Sequence, residues 1–463
     1  MKTTSIIKFL TILILSGVLF VGCKKDVNQN SAGSVSTTSQ KQLSLAEAGA
    51  TGHMTYRNTF YNTDYLSVGT GGLRDIGYAQ IRVIGTFPLS SVYKAFLYWH
   101  GNSTIVEEVG KTMKFNTNTI TGTNIGITAP NNGGDSGPEY EVNTQAYRAD
   151  VTALVKASTS RYFKVSDFGK MNPDGASLVL FYQDGDNSNN RDIVLYDGND
   201  YNGEFPGYPG NPNAPFDPLG WDINLSGINY TSGKVIMTMH VADGQYYHDG
   251  TMFLNGVEMN SRTLFEGNTV PGAIPGVVSA RWDIKQFDLG YWLRPDVKSL
   301  HVTLDDYFDD QLSLVVVVFN LPKGVAPVNT IQVPFDYRPL RCPNTLRTSS
   351  SAEEAAILGT STFDVNKVDL SSVKLNGIPF KKSRIIDKSA PFSGTISDCS
   401  TCSALPADGI KDLEFLFDSQ LLLKTLGTVK DKQCIKVTLT GKLLPQYGST
   451  PFKGADYIVI SKD

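Results

Sequence analysis

The residues best placed to do chemistry are four cysteines in the last third of a 463-residue chain, Cys342, Cys399, Cys402 and Cys434. Thiols grouped in this way either form disulfides, for which four cysteines allow three pairings, or hold a tetrahedral zinc ion. Cys399-Ser-Thr-Cys402 supplies half of a zinc pattern, but a second C-x-x-C is missing. A thioredoxin-like redox site would need a βαβ context, which is also missing. Disulfides are the expectation for an exported chain.

The acidic segment DGDNSNNRD (184–192) sets oxygens at alternate positions, as an EF-hand loop does at its start. Its sixth position is Asn189 where that loop needs Gly, and its twelfth is Leu195 where it needs Glu. Two readings remain: a polar hairpin tip, or calcium held in another geometry by Asp184, Asp186, Asn190 and Asp192. Asp305, Asp306, Asp309 and Asp310 form a second acidic run, read as a solvated loop. His240, Asp243, His248 and Asp249 flank the turn ADGQ, where a hairpin can bring them face to face as a metal set. No nucleophile elbow, H-E-x-x-H, phosphate loop or triad spacing occurs. A pair of glycosidase carboxylates would leave no trace in one sequence, so a polysaccharide hydrolase is the alternative reading.

The segment YDGNDYNGEFPGYPGNPNAPFDPLGW (196–221) is the richest in aromatics set among turn residues. Flat rings beside amide and carboxylate groups suit sugar recognition, which makes Tyr201, Tyr208, Trp221, Asp200 and Asn202 candidate ligand contacts. The competing reading is a self-packed loop whose aromatics are buried.

The elements that must position these residues read as β-strands. The chain holds 43 Gly and 22 Pro with 10% aromatics, and short β-rich runs alternate with turn clusters such as NNGGDSG, DGDNSNN and ADGQ. Val315 to Phe319 is apolar throughout, as a strand buried on both faces would be. Asp150 to Val155 suits one helical turn, and no longer helix is indicated, which argues against a parallel α/β sheet. The fold class expected is all-β: tandem antiparallel β-sandwiches of the jelly-roll or immunoglobulin-like kind.

The segments AFLYWHG (95–101), ADVTALV (149–155), DGASLVLFYQD (174–184), RDIVLYDGND (191–200), HVADG (240–244), MFLNG (252–256) and LSLVVVVFNLP (312–322) together resemble a β-sandwich module of unknown function. That module occurs in bacterial surface and secreted proteins, and here it would cover 51–325, with two subdomains dividing near 200–225. Residues 326–340 read as a Pro-punctuated connector. From 341 to 463, the segments AAILGTSTFDVNKVDLSSVKLNGI, ADGIKDLEFLFDSQLLLKTLG and CIKVTLTGKLL resemble a second, C-terminal extracellular β-sandwich module. Neither resemblance implies a reaction.

At the other end, Lys2 and Lys8 precede an apolar run, Phe9 to Val21, which stops at Gly22-Cys23. This resembles a bacterial lipoprotein signal of the Bacteroidetes kind, in which cleavage after residue 22 leaves Cys23 acylated. Residues 23–50 would form a flexible polar tether. The net charge is −4, and weakly acidic bodies of this sort are poor partners for nucleic acid or anionic lipid. Membrane contact is therefore assigned to the lipid on Cys23, at the outer membrane of a cell envelope. The expected role is binding or adhesion, toward a glycan or a surface protein; the alternatives are the polysaccharide hydrolase, using loop carboxylates, and a purely structural spacer of the envelope.

Overall fold

The alternation seen in the sequence builds sheets that are antiparallel except where two short strands, Ile331–Gln332 and Thr345–Arg347, pair in parallel with Pro451–Ser461. The computed structural model describes residues 53–105, 107–128, 143–202, 220–261, 263–272, 279–304, 310–402 and 404–462. Cys23 and Tyr208 lie outside the described residues, as do the signal and tether.

The N-terminal module is organised by one nine-stranded sheet. Its strands are β1 (Thr55–Thr70), β2 (Val92–Ser103), β3 (Thr123–Thr128), β4 (Asn143–Asp150), β5 (Asn172–Tyr182), β6 (Arg191–Tyr201), β7 (Ile236–Ala242), β8 (Trp282–Asp288) and β9 (Ser313–Leu321). Their order across the sheet is β8-β7-β9-β6-β1-β5-β2-β4-β3. Strand β1 belongs to two halves: Thr55 to Thr63 pair with β6, and Asp64 to Thr70 pair with β5. The register breaks between Phe60 and Thr63, where Asn62 takes a left-handed φ of 54°. Asn tolerates that conformation better than β-branched or bulky residues do, so the strand can change direction there.

The two halves stack face to face. Phe60, Val179, Phe181, Ile193, Leu195, Val316 and Val318 fill the layer between them, with the Phe60 and Phe181 rings stacked at 3.8 Å. Each half is covered on its outer side by a four-stranded sheet. One, formed by Asp222–Ser226, Ser299–Leu304, Thr251–Leu254 and Val257–Ser261, packs on Met237, Met239, Val317 and Phe319. The other, formed by Tyr78–Arg82, Tyr162–Ser166, Thr112–Phe115 and Asn118–Thr121, packs on Leu97, Trp99, Leu178 and Leu180. The module therefore has four layers and three cores. Val316 and Val318 serve the central core while Val317 and Phe319 serve an outer one, which is why the run Val315–Phe319 is apolar at every position. Each such side chain contributes about 1.5–3 kcal/mol by leaving water. The expected turn of helix is present as Thr152–Ala157. Beyond β1, the chain passes from one half to the other at the 183–190 hairpin.

The C-terminal module is a second sandwich around one core, centred on Phe335, Tyr337, Leu375, Phe415, Val437 and Ile458. Its main strands are β10 (Ala352–Ile357), β11 (Val368–Leu375), β12 (Ile378–Ile386), β13 (Asp412–Asp418), β14 (Cys434–Leu443) and β15 (Pro451–Ser461). The β11–β12 hairpin turns on Asn376-Gly377, both at positive φ, the conformation that Asn-Gly turns supply. The module meets the first one where Tyr61 N–H donates to Gly448 O at 3.1 Å.

The cysteines pair as Cys342–Cys402 and Cys399–Cys434. Both bridges reach into the loop between β12 and β13, tying it to the connector on one side and to the start of β14 on the other. Peptide mapping under non-reducing conditions is expected to return these two pairs. Replacing Cys399 and Cys434 by Ser should lower the stability of the C-terminal module by about 2–4 kcal/mol in denaturant titrations.

Candidate functional site

Strands with two apolar faces leave their polar residues only the strand ends, and at one end of the N-terminal module these residues collect. His100 and Asn102 close β2, Asp174 opens β5, Asn199 and Asp200 close β6, and Asp283 opens β8; all are buried. Arg74, from the short helix Leu73–Ile76, reaches in from the side. Its guanidinium meets Asp174 Oδ1 at 2.6 Å and Asp243 Oδ2 at 3.0 Å, and His100 Nδ1 lies 2.6 Å from Asp174 Oδ2.

The two carboxyls that share Arg74 are pushed in opposite directions. Burial opposes ionisation of Asp174, but Arg74 and His100 outweigh it and hold the pKa below the usual carboxylate range. Burial raises Asp243 to about 8, with the negative charge of Asp174 adding to the effect. Asp310 is likewise pushed up to about 8 by burial and by the nearby Asp243. Burial raises Asp249 to about 7, against the N–H groups of Phe265 and Leu264, which donate to its Oδ2. The cluster thus holds ionised and protonated acids side by side at neutral pH.

Asp310 also fixes the adjacent turn. Its Oδ2 accepts from Gln245 N at 2.7 Å, and its own N–H donates to His248 O at 2.9 Å. Between those two anchors stand Tyr246 and Tyr247, 80% and 55% exposed. Among the described residues, they are an aromatic pair turned to solvent at this end of the module. Nothing in their spacing marked them, since the sequence HVADGQYYHDG is an ordinary turn until Asp310 is seen to clamp it.

Four of the candidate ligand contacts in 196–221 lie among the described residues, and all four are buried. Trp221 is wholly buried, its Nε1 donating to Asp200 O at 2.8 Å and its ring set edge-on to Phe265 at 5.6 Å. Tyr201 is buried as well. Asn202 is spent on backbone, accepting from Leu312 N at 2.9 Å and donating to Asp310 O at 3.0 Å. Asp200 is buried beneath Trp221. The Trp221 and Asn202 side chains thus satisfy backbone groups at neighbouring strand ends.

The acidic segment 184–192 forms a hairpin tip. Asp184 Oδ1 accepts from Asp186 N, Asp186 Oδ1 accepts from Ser188, and Asn190 donates to Asn187 Oδ1. Asp192 turns away from these three: its two oxygens accept from Asn62 N at 3.0 Å and Gly324 N at 2.6 Å, securing the bend in β1. His240 is also removed from the expected metal set. It lies inside the sandwich between Ser177 Oγ (2.7 Å) and Ser67 Oγ (3.1 Å), where burial lowers its pKa to about 3. Among the described residues, no three His, Cys, Asp or Glu side chains are placed to hold a metal ion.

No known protein family matches the chain, and no curated protein does. Among solved structures, it is similar to the insecticidal delta-endotoxin Cry8Ea1 of Bacillus thuringiensis, at 9% identity and a TM-score of 0.18 over 57% of this chain and 54% of that one. It is also similar to dimeric latent PorU of Porphyromonas gingivalis, at 9% identity and a TM-score of 0.17 over 77% of this chain and 31% of that one. It therefore spans about half of the toxin and about a third of PorU. Both likenesses are too slight to inform fold or role.

Acids whose folded pKa lies above the unfolded value bind protons more tightly when folded. They stabilise the fold fully below about pH 4, and that contribution is lost as pH rises through 7 to 8. The melting midpoint is expected to fall between pH 5 and pH 8.5. Asp249 is the informative site, because its Oδ2 takes both N–H donors and its Oδ1 has no hydrogen-bond partner. Asp249→Asn keeps the acceptor and removes the charge. It should melt with the parent at pH 5 and a few degrees higher at pH 8.5.

Proposed function

We propose that this chain is a lipid-anchored binding protein of the bacterial cell envelope, taking a neutral, hydroxyl-rich ligand of the glycan class at the Tyr246–Tyr247 turn. The observation that carries this reading is the exposure of two adjacent rings on a turn held rigidly from both sides by Asp310. A sugar ring stacks its C–H face on an aromatic ring, and a pre-fixed turn loses little entropy on binding. The acids behind the turn support binding over hydrolysis. A glycosidase pair must touch the scissile bond, whereas Asp243 and Asp310 are sealed beneath the surface. The anchor rests on the signal-like start and Cys23, and the outer membrane is the membrane assigned.

The full chain, purified in detergent, would be screened on an array of neutral and charged glycans. Tyr246→Ala with Tyr247→Ala should weaken binding to a neutral glycan about tenfold without moving the melting midpoint. Binding that survives this change removes the turn from the proposal. Cys23→Ser should shift the protein out of the detergent-extracted membrane fraction and abolish acyl mass at the N-terminus. A variant that stays in that fraction would exclude the lipid anchor.

A further inference from the structure

The sheet that covers the second half alternates cleanly along its strands. Ile81, Phe163, Val165, Met113 and Phe115 point inward and are buried, while Tyr78, Arg82, Tyr162, Lys164 and Lys114 point to solvent. Two features of that outward face are unusual. First, it presents tyrosines on a flat sheet, Tyr78 at 53% exposure and Tyr162 at 48%. Second, each ring carries a cation: Lys164 Nζ lies 4.6 Å from the Tyr78 ring centroid, and Arg82 Cζ lies 5.7 Å from that of Tyr162.

The charge is one-sided. Lys114 pairs with Asp167 at 2.7 Å, but among the described residues Arg82 and Lys164 meet aromatic rings and no carboxylate. Outward sheet faces ordinarily offset charge with cross-strand pairs of opposite sign. Here three cations stand with one acid, in a chain where 45 acidic residues outnumber 41 basic ones. An open depression of about 450 Å³ lies over Tyr78, Lys114, Asn116, Lys164 and Ser166, with Asp167, the partner of Lys114, also at its wall. Tyr162 stands opposite Arg82, and Tyr78 lies four residues before Arg82 on the same strand. The rings are therefore about 13 Å apart along the sheet. That distance suits a run of sugar units rather than a single one.

We propose that this face binds an anionic linear polysaccharide, with its carboxylates or sulfates on Arg82 and Lys164 and its sugar faces on Tyr78 and Tyr162. The chemistry is that of charge-assisted hydrogen bonds set beside stacking rings. The site is on a different sheet from the Tyr246–Tyr247 turn and takes a different class of glycan.

Native gels cast with polygalacturonate, dextran sulfate or neutral dextran would test it on the full chain in detergent. Retardation is expected in one or both anionic gels and not in dextran, and the gel that retards separates carboxylate from sulfate. Arg82→Ala with Lys164→Ala should weaken retention about tenfold or more. Lys164→Arg should keep it, which also shows that the position tolerates change. Tyr78→Ala with Tyr162→Ala, which alters no charge, should weaken it as well, whereas the Tyr246 and Tyr247 changes should not. Equal migration in all three gels would overturn the proposal. So would retention indifferent to these variants, or binding to phosphatidylglycerol vesicles without retention on either polyanion.

Discussion

One strand that must serve two sheets is the constraint on which the N-terminal module depends. Because β1 pairs with β6 before Asn62 and with β5 after it, a single sheet becomes two stacked halves. Asp192 holds that change of direction by accepting from Asn62 N, and its other oxygen takes Gly324 N just beyond β9. With the halves stacked and each covered outside, interior strands have no solvent-facing side left. Their composition follows: apolar at consecutive positions, with polar residues driven to the ends.

One carboxylate held between the halves is fully met. Asp197 on β6 accepts from Arg57 Nη2 at 2.9 Å, Arg148 Nη1 at 2.5 Å and Tyr98 Oη at 3.0 Å, joining β1 and β6 of one half to β2 and β4 of the other. Taking a lone carboxylate out of water costs several kcal/mol, and two guanidinium groups with a phenol offset it. The opposite solution appears at the module's end. There Asp243 and Asp310 are buried with less compensation, and protonation near neutral pH relieves them. The same burial gives a fully paired clamp in one place and a pH-dependent one in the other.

Much of the architecture was legible in the sequence. Alternation and turn chemistry gave the all-β class, the continuous run Val315–Phe319 foretold a strand buried on both faces, and the cysteine grouping foretold disulfides. The number of layers was not legible, because a strand between two cores reads the same whether one or two further sheets cover it. Burial of Tyr201 and Trp221 was left open by the sequence for a related reason. A ring among Gly, Asn and Pro looks exposed by composition, yet whether it is exposed depends on which strand end lies beside it, and for Tyr201 that partner, Ser313, is more than a hundred residues away in β9. Arg74, His100, Asp174 and Asp243 were invisible as a group because topology alone brings them together. Tyr246 and Tyr247 became distinctive only through Asp310.

The exposed aromatics that remain can be weighed by what holds them. An unsupported surface tyrosine is common and means little. Tyr246 and Tyr247 sit on a turn bonded at both flanks, and Tyr78 and Tyr162 sit on a sheet with cations fixing their rings. Both arrangements restrict ring motion before any ligand arrives, so the entropy that usually opposes stacking has already been lost in folding. The buried rings of Tyr201 and Trp221 stand where β6 ends and the covering sheet begins. The interior therefore leaves Tyr246 and Tyr247, and not the buried Asp243 and Asp310, at this surface.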